Sequence, residues 1–265
     1  MNMLSSIIDK SRKVVIKIGS NVLSTEEGMP NREVIENIAD QVNELMARGK
    51  QVIIVSSGAG ICGVGAINKW SRRKDINYKQ ALCAIGQVEL MMTYKEFFAK
   101  HDIHVGQILL TKDDFTSSER TLHIRNTLFT MVDEGVVPII NENDSVSVDE
   151  IKIGDNDNLS ALTGNLWNTD VLIILSDIDG IFDKDPKKHK DAKLIEEVVD
   201  VDKLEEEIDI SGLSTFGTGG IATKIEAAKK AGTYGIPTVL LNGKKKDIIL
   251  SAANGEEKGT VFVWK

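Results

Sequence analysis

The sequence predicts an α/β protein, a three-layer α/β/α sandwich around a mostly parallel, doubly wound sheet. Short runs of β-branched residues alternate with longer segments whose apolar residues recur at helical spacing. Several of the short runs are apolar throughout, which is typical of strands that are buried on both faces of a parallel sheet. The 265 residues show no linker, composition shift or internal repeat, so we expect a single domain spanning 1–265.

The first half of the chain predicts strands and helices in alternation. The predicted strands are 14–18, 51–55, 105–110 and 136–140, and the predicted helices are 31–49, 77–101 and 117–134. A stop signal, Arg48-Gly49-Lys50, ends the first helix, and a glycine-rich turn follows the second strand at 56–60. Weak alternation over 145–153 predicts a small hairpin.

The second half continues the same order. The predicted helices are 157–167, 201–208 and 219–232, and the predicted strands are 171–175, 237–241 and 259–264. A charged loop at 183–193 interrupts the pattern, and it is either a mobile lid or solvated surface.

Composition excludes several classes of function. The net charge of −8 argues against nucleic acid as the main partner, because phosphate backbones need basic surface. No apolar run is long enough to span a membrane. Cys62 and Cys83 lack CxxC spacing and are expected to be buried apolar side chains in a reducing, cytoplasmic setting. The four histidines (His101, His104, His123 and His189) show no metal-ligand spacing, so no protein-held metal is expected.

The most unusual segment is 152–160, in which Asp155, Asn156, Asp157 and Asn158 follow a glycine and precede an apolar helical pattern. Such residues cap the free N–H groups of a helix start, so an N-cap with additional polar residues beside it is one interpretation. Four in succession exceed what one cap needs, which favours a ligand site at the helix start. Capping remains the expected role of Asn158.

Other polar residues recur where predicted strands end, and ligands bind beyond the C-terminal ends of strands in such sheets. Lys17 interrupts an apolar strand; it either extends outward to solvent or points at phosphate oxygens beside Gly19. The remaining strand ends carry Ser56-Ser57-Gly58, Asn141 to Asp144, and Ser176-Asp177.

A glycine-rich segment, Gly-Thr-Gly-Gly-Ile-Ala-Thr-Lys at 217–224, leads into a predicted helix. Glycines allow close approach of backbone to phosphate, and the helix start adds free N–H groups and a positive dipole end. Neither a P-loop pattern nor a GxGxxG after the first strand is present, so a nucleotide would be bound by another scheme.

Six segments together resemble the amino-acid kinase family and cover essentially the whole chain. They are Val-Ile-Lys-Ile-Gly-Ser-Asn at 15–21, Ser-Ser-Gly-Ala at 56–59, His-Val-Gly-Gln-Ile-Leu-Leu-Thr at 104–111, Pro-Ile-Ile-Asn-Glu-Asn-Asp at 138–144, Ile-Lys-Ile-Gly-Asp-Asn-Asp-Asn-Leu-Ser-Ala-Leu at 151–162, and 217–224. The two segments at 138–144 and 151–162 resemble the glutamate-phosphorylating members. The resemblance implies the amino-acid kinase fold, with a glutamate side mainly in 1–165 and an ATP side mainly in 170–265.

The resemblance also implies a reaction and its site residues. ATP with Mg²⁺ would phosphorylate the side-chain carboxylate of L-glutamate, the first step of proline biosynthesis. Lys17 and Lys224 would stabilise the transferring phosphoryl group, Asp157 would orient both lysines, and Mg²⁺ would be held mainly by the ATP phosphates. Glutamate would be bound by Ser57, Gly58, Asn141, Asp144, Asp155 and Asn156. ATP would be bound by Lys17, Gly19, Ser176, Asp177, Thr218, Gly219, Gly220, Ile221, Ala222, Thr223 and Lys224.

The residue chemistry agrees with these implied roles. The attacking carboxylate is already ionised at neutral pH, so no general base is required. The obstacle is to bring one anion onto another, which two lysines and helix N-termini relieve. Asp144 suits an α-ammonium group, because a carboxylate beside an anionic substrate needs a nearby cation.

Three departures from the family pattern stand out. Ser176 replaces a common threonine, Phe182 replaces a common tyrosine, and no C-terminal PUA domain is expected after 265. Alternatives are a family kinase acting on acetylglutamate, aspartate or UMP, or a non-catalytic sensor of glutamate, proline or nucleotide. The expected partners are glutamyl phosphate reductase, which takes the product, and further copies of the chain in a dimer or tetramer. Feedback inhibition by proline is left open.

Overall fold

The computed structural model describes residues 2–68, 75–147, 156–186, 188–207 and 220–264. Strands and helices alternate along most of the chain. The strands are β1 Lys13–Ile18, β2 Gln51–Val55, β3 Val105–Leu110, β4 Val137–Glu142, β5 Val171–Ser176, β6 Ile181–Phe182, β7 Leu194–Ile195, β8 Glu197–Val198, β9 Thr238–Asn242 and β10 Thr260–Phe262. The helices are α1 Met3–Lys10, α2 Ser20–Leu23, α3 Arg32–Ala47, α4 Ala59–Ile67, α5 Ile76–Ala99, α6 Ser118–Asp133, α7 Asn156–Trp167, α8 Val201–Glu207, α9 Ile221–Thr233 and α10 Ile248–Ala253.

An eight-stranded sheet in the order β3-β4-β2-β1-β5-β9-β10-β8 forms the centre of this described part. Every pairing from β3 across to β9 is parallel, and β10 runs antiparallel to β9. The predicted mostly parallel sheet is therefore confirmed. The order changes direction beside β1, which places Lys17 between Val55 and Ile174 at the centre of the sheet.

Two hydrophobic layers cover the two faces of the sheet, as the predicted sandwich requires. One layer packs α1, α3, α5 and α10 against alternate strand residues such as Ile16 and Ile54. The other packs α6, α7, α8 and α9 against the intervening residues, such as Val15 and Ile53. Strands β1, β2, β4 and β5 are buried almost throughout, which is why their sequences lack polar alternation.

Four helices of the described part of the chain were not predicted. They are α1, α2, α4 and α10. The expected turn at 56–60 continues directly into α4, whose glycine-rich sequence has poor intrinsic helix propensity. Tertiary packing explains this helix, because α4 lies close against α5: a Cβ atom at Gly63 would lie 1.9 Å from the carbonyl oxygen of Leu82.

Two other predictions are corrected or left open. At the start of the expected hairpin at 145–153, residues 144–146 form a turn, which the N–H groups of Val146 and Ser147 close by donating to the carbonyl oxygen of Asn143; 148–153 lie outside the described residues. The charged loop at 183–193 is flanked by an antiparallel pair, β6 with β7, and an ion pair joins Lys184 and Asp191 across it. In the portion of the chain with described structure, no helix has both the length and the apolar character needed to cross a membrane.

Candidate active site

The C-terminal ends of the central parallel strands bring the predicted polar residues to one edge of the sheet. Lys17 comes from β1, Ser57 follows β2, Asn141 ends β4 and Ser176 ends β5. All four side chains are buried, with exposed fractions of 5% or less. Gly58 follows β2 with φ +89, a left-handed conformation that glycine adopts without strain, and its turn starts α4. The strand ends therefore form a common polar floor, as expected for this class of sheet.

A buried carboxylate with two lysines lies at the centre of this floor. Asp157, in the first turn of α7, is 0% exposed and forms an ion pair with Lys17. Its Oδ2 lies 3.5 Å from Nζ of Lys224 and accepts a hydrogen bond of 2.8 Å from the hydroxyl of Thr223. Lys17 is 4% exposed, so the interpretation in which it extends outward to solvent is wrong. We call Lys17, Asp157 and Lys224 the lysine–aspartate cluster.

The charges of the cluster do not cancel, because two ammonium groups share one carboxylate. Burial alone would raise the pKa of Asp157, but the charges of Lys17 and Lys224 outweigh it and hold this pKa below its usual value. Burial lowers the pKa of Lys224, and Asp157 opposes that shift. A net charge of about +1 in a site of low dielectric attracts an anion and disfavours an unpaired state.

Helix starts add to the positive potential beside the cluster. Gly220 is the N-cap of α9, whose first turn contains Ile221, Ala222, Thr223 and Lys224. Since Thr223 and Lys224 contact Asp157, the N-terminal end of α9 meets that of α7 at the cluster. The positive dipole ends of both helices meet in the same region, and the start of α9 adds N–H groups that the N-cap residue Gly220 does not cap with a side chain. Such an arrangement recurs in phosphate-binding sites.

The end of β5 provides a second set of polar groups on this side. The hydroxyl of Ser176 donates to Oδ1 of Asp177 at 3.3 Å, and Nδ2 of Asn21 donates to Oδ2 of the same carboxylate at 3.1 Å. Asp177 is exposed, so its oxygens can also accept from a ligand. Gly19 brings its backbone within 3.0 Å of Leu175, and an added Cβ there would lie 4.0 Å from Nζ of Lys17.

On the opposite side of the cluster the polar groups are neutral. Nδ2 of Asn156 donates to Oγ of Ser57 at 3.2 Å and to Oδ1 of Asn141 at 3.0 Å. Oδ1 of Asn156 is buried and, among the described residues, has no hydrogen-bond partner. A buried acceptor without a partner costs free energy unless a ligand satisfies it, so this atom is a candidate for contact with a ligand.

Asp144 lies in a neighbouring groove of about 470 Å³ that is also lined by Cys83, Gln87 and Gln107. Burial raises the pKa of this carboxyl, and a hydrogen bond from the thiol of Cys83 partly opposes the shift. Cys62 is fully buried, as predicted. Cys83 is partly buried and packs against the hydrophobic layer, as an apolar side chain does, and its thiol also donates to Asp144.

The structure therefore brings together most of the predicted site residues. Three of them, Asp155, Thr218 and Gly219, lie outside the described residues. Sequence reasoning missed Gln87 and Cys83 as contacts of the site. Gln87 and Cys83 lie on α5, whose sequence has neither a glycine-rich run nor an acidic cluster to indicate a ligand, and their contacts arise from the packing of α5 against the sheet edge.

A metal centre formed by the protein itself is not evident where side chains are described: no group of three or more His, Cys, Asp or Glu residues there has suitable geometry. The donor set around the cluster is cationic and amidic, which suits phosphate and carboxylate oxygens better than a bare cation.

The sequence profile of the Amino acid kinase family matches residues 12–242. The chain is 57% identical over 260 residues to glutamate 5-kinase of Alkaliphilus metalliredigens (strain QYMF), covering 98% of each chain. It is 47% identical to glutamate 5-kinase of Geobacter metallireducens, covering 98% of this chain and 70% of that protein.

Solved structures support the fold. The UMP kinase from Ureaplasma parvum superposes with a TM-score of 0.67 at 17% identity, covering 96% of this chain and 99% of that one. The carbamate kinase from Giardia lamblia bound to AMP-PNP has a TM-score of 0.66 at 14% identity, covering 97% of this chain and 100% of that one. At such identities the likeness extends to the fold alone.

Proposed function

The chain belongs to the amino acid kinase family, and we propose that it transfers the γ-phosphoryl group of ATP to the side-chain carboxylate of L-glutamate. The observation that carries the phosphoryl-transfer part is the lysine–aspartate cluster, in which one buried carboxylate holds two lysines beside two helix N-termini. The choice of glutamate rests on the 57% identity to a glutamate 5-kinase over 98% of both chains.

The chemistry needs charge stabilisation rather than proton transfer. The glutamate side chain is ionised at neutral pH, since the pKa of such a carboxyl in water is about 4.3, so it attacks phosphorus without a general base. One P–O bond forms to the carboxylate oxygen while the bond between the γ-phosphorus and the β,γ-bridging oxygen breaks, and ADP leaves with that electron pair. Lys17 and Lys224 approach the equatorial and leaving oxygens from the floor of the site and offset the developing charge.

Asp157 serves this step by positioning the two ammonium groups. Two lysines that faced a phosphate without a shared counter-ion would repel one another and lose their fixed geometry. Its ion pairs with both lysines, together with the hydroxyl of Thr223, hold the ammonium groups in place before substrate binds. Such preorganised charges stabilise a transition state without reorganising during the reaction.

The ATP side is proposed to comprise the start of α9, Ser176 and Asp177, and Gly19 beside Lys17. N–H groups of α9 suit the phosphates, and the exposed carboxylate of Asp177 suits hydroxyl or amine donors of the nucleoside. Mg²⁺ would arrive with the ATP phosphates and neutralise part of their charge; the described residues offer it no dedicated carboxylate cage.

The glutamate side is proposed to comprise Ser57, Asn141, Asn156 and Asp144. Neutral amides and a hydroxyl can contact glutamate without adding negative charge to the site, and Asp144 supplies the carboxylate for its ammonium group. The product is an acyl phosphate, which reacts readily with water. We propose that a reductase of glutamyl phosphate consumes it and that the kinase assembles with further copies of itself.

Hydroxylamine trapping tests the proposal directly. Purified protein with ATP, Mg²⁺, L-glutamate and hydroxylamine should form glutamyl hydroxamate and release ADP in equal amounts. Reactions with L-aspartate, N-acetyl-L-glutamate or UMP as acceptor serve as controls. Turnover with one of these and none with glutamate would refute the choice of substrate, and absence of ADP release with every acceptor would refute phosphoryl transfer.

A further inference from the structure

A line of side-chain amides connects the exposed edge of the sheet with the glutamate side of the site. We propose that Gln87 is a positioning residue of this line: it fixes the orientation of the Asn141 amide, and through it Asn156, so that Oδ1 of Asn156 accepts a hydrogen bond from the ammonium group of the substrate. The proposal rests on the proposed function, since it names a determinant of how the amino acid is bound.

The contacts form a continuous chain from α5 to α7. Nε2 of Gln87 donates to Oε1 of Gln107 on β3 at 3.0 Å, and Oε1 of Gln87 accepts from Nδ2 of Asn141 at 2.8 Å. Oδ1 of Asn141 then accepts from Nδ2 of Asn156 at 3.0 Å, and Asn156 also donates to Ser57. Gln87 and Asn141 are 9% and 1% exposed, so water has little access to the middle of the line.

The backbone N–H of Glu142 on one side of Asn141 and the side-chain oxygen of Gln87 on the other together hold the amides of this line in one direction. The N–H of Glu142 lies 2.9 Å from Oδ1 of Asn141, and a backbone N–H can only donate. Asn141 must therefore present its oxygen on this side and its NH₂ group to Gln87. Gln87 in turn must present its oxygen to Asn141, and its own NH₂ group faces Gln107.

The same reasoning fixes Asn156. Because Oδ1 of Asn141 is an acceptor, Asn156 must offer it the NH₂ group, which leaves Oδ1 of Asn156 directed elsewhere. That oxygen is buried and lacks a partner within the described residues. If Asn141 flipped, the N–H of Glu142 would face an NH₂ group, and Asn156 would present a donor in place of an acceptor.

The unsatisfied oxygen requires a donor from the substrate. L-glutamate has one donor group at neutral pH, the α-ammonium, since both of its carboxylates only accept. Asp144, which suits the same group by charge, lines the groove that Gln87 also lines. Gln87 thus contributes to recognition of a free amino group without being a contact of the substrate.

Replacing Gln87 by methionine tests this role, because methionine has a similar length and no amide. Gln87→Met should raise KM for glutamate about 10-fold, the size expected for loss of one hydrogen bond to a charged group. KM for ATP should stay within about twofold, since the lysine–aspartate cluster is untouched. Gln87→Glu keeps an acceptor opposite Asn141 and should restore KM for glutamate to within about threefold of wild type.

Glutarate reports on the ammonium group alone, because it equals glutamate without the amine. Its inhibition constant, measured against glutamate, should change by less than about twofold in Gln87→Met. An equal loss for glutarate and glutamate would overturn the link to the ammonium group.

Gln41 provides a matched control, because it is a buried glutamine on α3 whose amide contacts Asn37 and the N–H of Ile249, away from the site. Gln41→Met should lower the thermal midpoint without changing KM for glutamate. If Gln87→Met does not fold, Gln107→Met replaces it. The side chain of Gln107 is exposed, and its loss removes the acceptor for the NH₂ group of Gln87, so the Gln87 amide is held less firmly against Asn141 and KM for glutamate should rise about threefold.

An unchanged KM for glutamate in Gln87→Met, or in Gln107→Met where that variant stands in, would overturn the proposal. If KM for glutamate rose as much in Gln87→Glu as in Gln87→Met, the proposal would be overturned as well, because the acceptor opposite Asn141 would then have no effect on substrate binding. Wild-type protein without glutamate-dependent hydroxamate would refute the proposed function instead, and that measurement needs no variant.

Discussion

The two halves of the candidate site are held together by different forces. Around Asp157 the contacts are ionic, with one carboxylate between two buried lysines. Around Asn141 they are neutral amide and hydroxyl contacts, each with a donor and an acceptor in fixed positions. An ion pair acts over several ångströms and tolerates some displacement. An amide that flips exchanges the positions of its donor and its acceptor. The ionic half suits charge stabilisation, and the neutral half suits discrimination between substrates.

The largest expected effect is on stability and comes from the ionic half. Asp157→Asn leaves Lys17 and Lys224 buried without their carboxylate and should lower the free energy of unfolding by about 3–5 kcal/mol. Denaturant unfolding of both proteins at pH 7 measures the difference. Asp202→Asn is the matched control, because it breaks an exposed pair with Lys229 and should cost about 0–1 kcal/mol. Equal losses in the two variants would contradict the special role of the buried pair.

The second effect is on turnover. Lys224→Ala should lower kcat at least about 100-fold, by analogy with the loss of one transition-state donor. Lys229 lies on the same helix and is exposed, so Lys229→Ala should leave kcat unchanged. Steady-state rates with both substrates saturating decide the matter. A kcat within about threefold of wild type would exclude Lys224 from the transition state.

A third effect belongs to the neutral half and its acidic neighbour. Asp144→Asn removes the charge expected to meet the substrate ammonium and should raise KM for glutamate about 10-fold, with KM for ATP unchanged. Cys83→Ala removes only a weak donor to the same carboxylate and should have a smaller effect. A change confined to ATP affinity would show that Asp144 has been assigned to the wrong substrate.

The residues of the ionic half stood out in the sequence because they break local rules, whereas the pairing of Asp157 with both lysines was implied only by the family resemblance. A lysine inside an apolar strand and four acidic or amide residues at a helix start have no good structural explanation. The parallel sheet could be predicted because β2 and β5 are apolar on both faces, as strands buried between two layers are.

Gln87 and Cys83 break no such rule. They occupy ordinary positions of a long helix, and the residues that they contact depend on which face of α5 meets the end of β4. Helix α4 was missed on similar grounds, since its glycines are unfavourable locally and are required by distant segments: Gly63 by the close approach of α5, and Gly65 by the backbone at Gly28. Features that arise from contact between distant segments are therefore the ones that local patterns do not predict.

The smallest expected effect is a shift in pH dependence, and it separates charge from shape within the ionic half. Lys224 must be protonated to stabilise the phosphoryl group, and burial lowers its pKa below the usual lysine value of 10.5. Activity should therefore fall as pH rises through a midpoint below 10.5, where the ammonium loses its proton.

Lys224→Arg keeps a positive charge at all accessible pH values, because a guanidinium has a pKa of about 12 or more. This variant should have a lower kcat, since the planar group does not reproduce the ammonium geometry, yet its alkaline midpoint should move upward. Profiles of kcat from about pH 7 to 10.5 in wild type and variant measure the shift. An unchanged midpoint would show that the fall in activity at high pH comes from another group. Lys224 would then stay protonated over the whole range, and the charge of Asp157, rather than burial, would dominate its pKa.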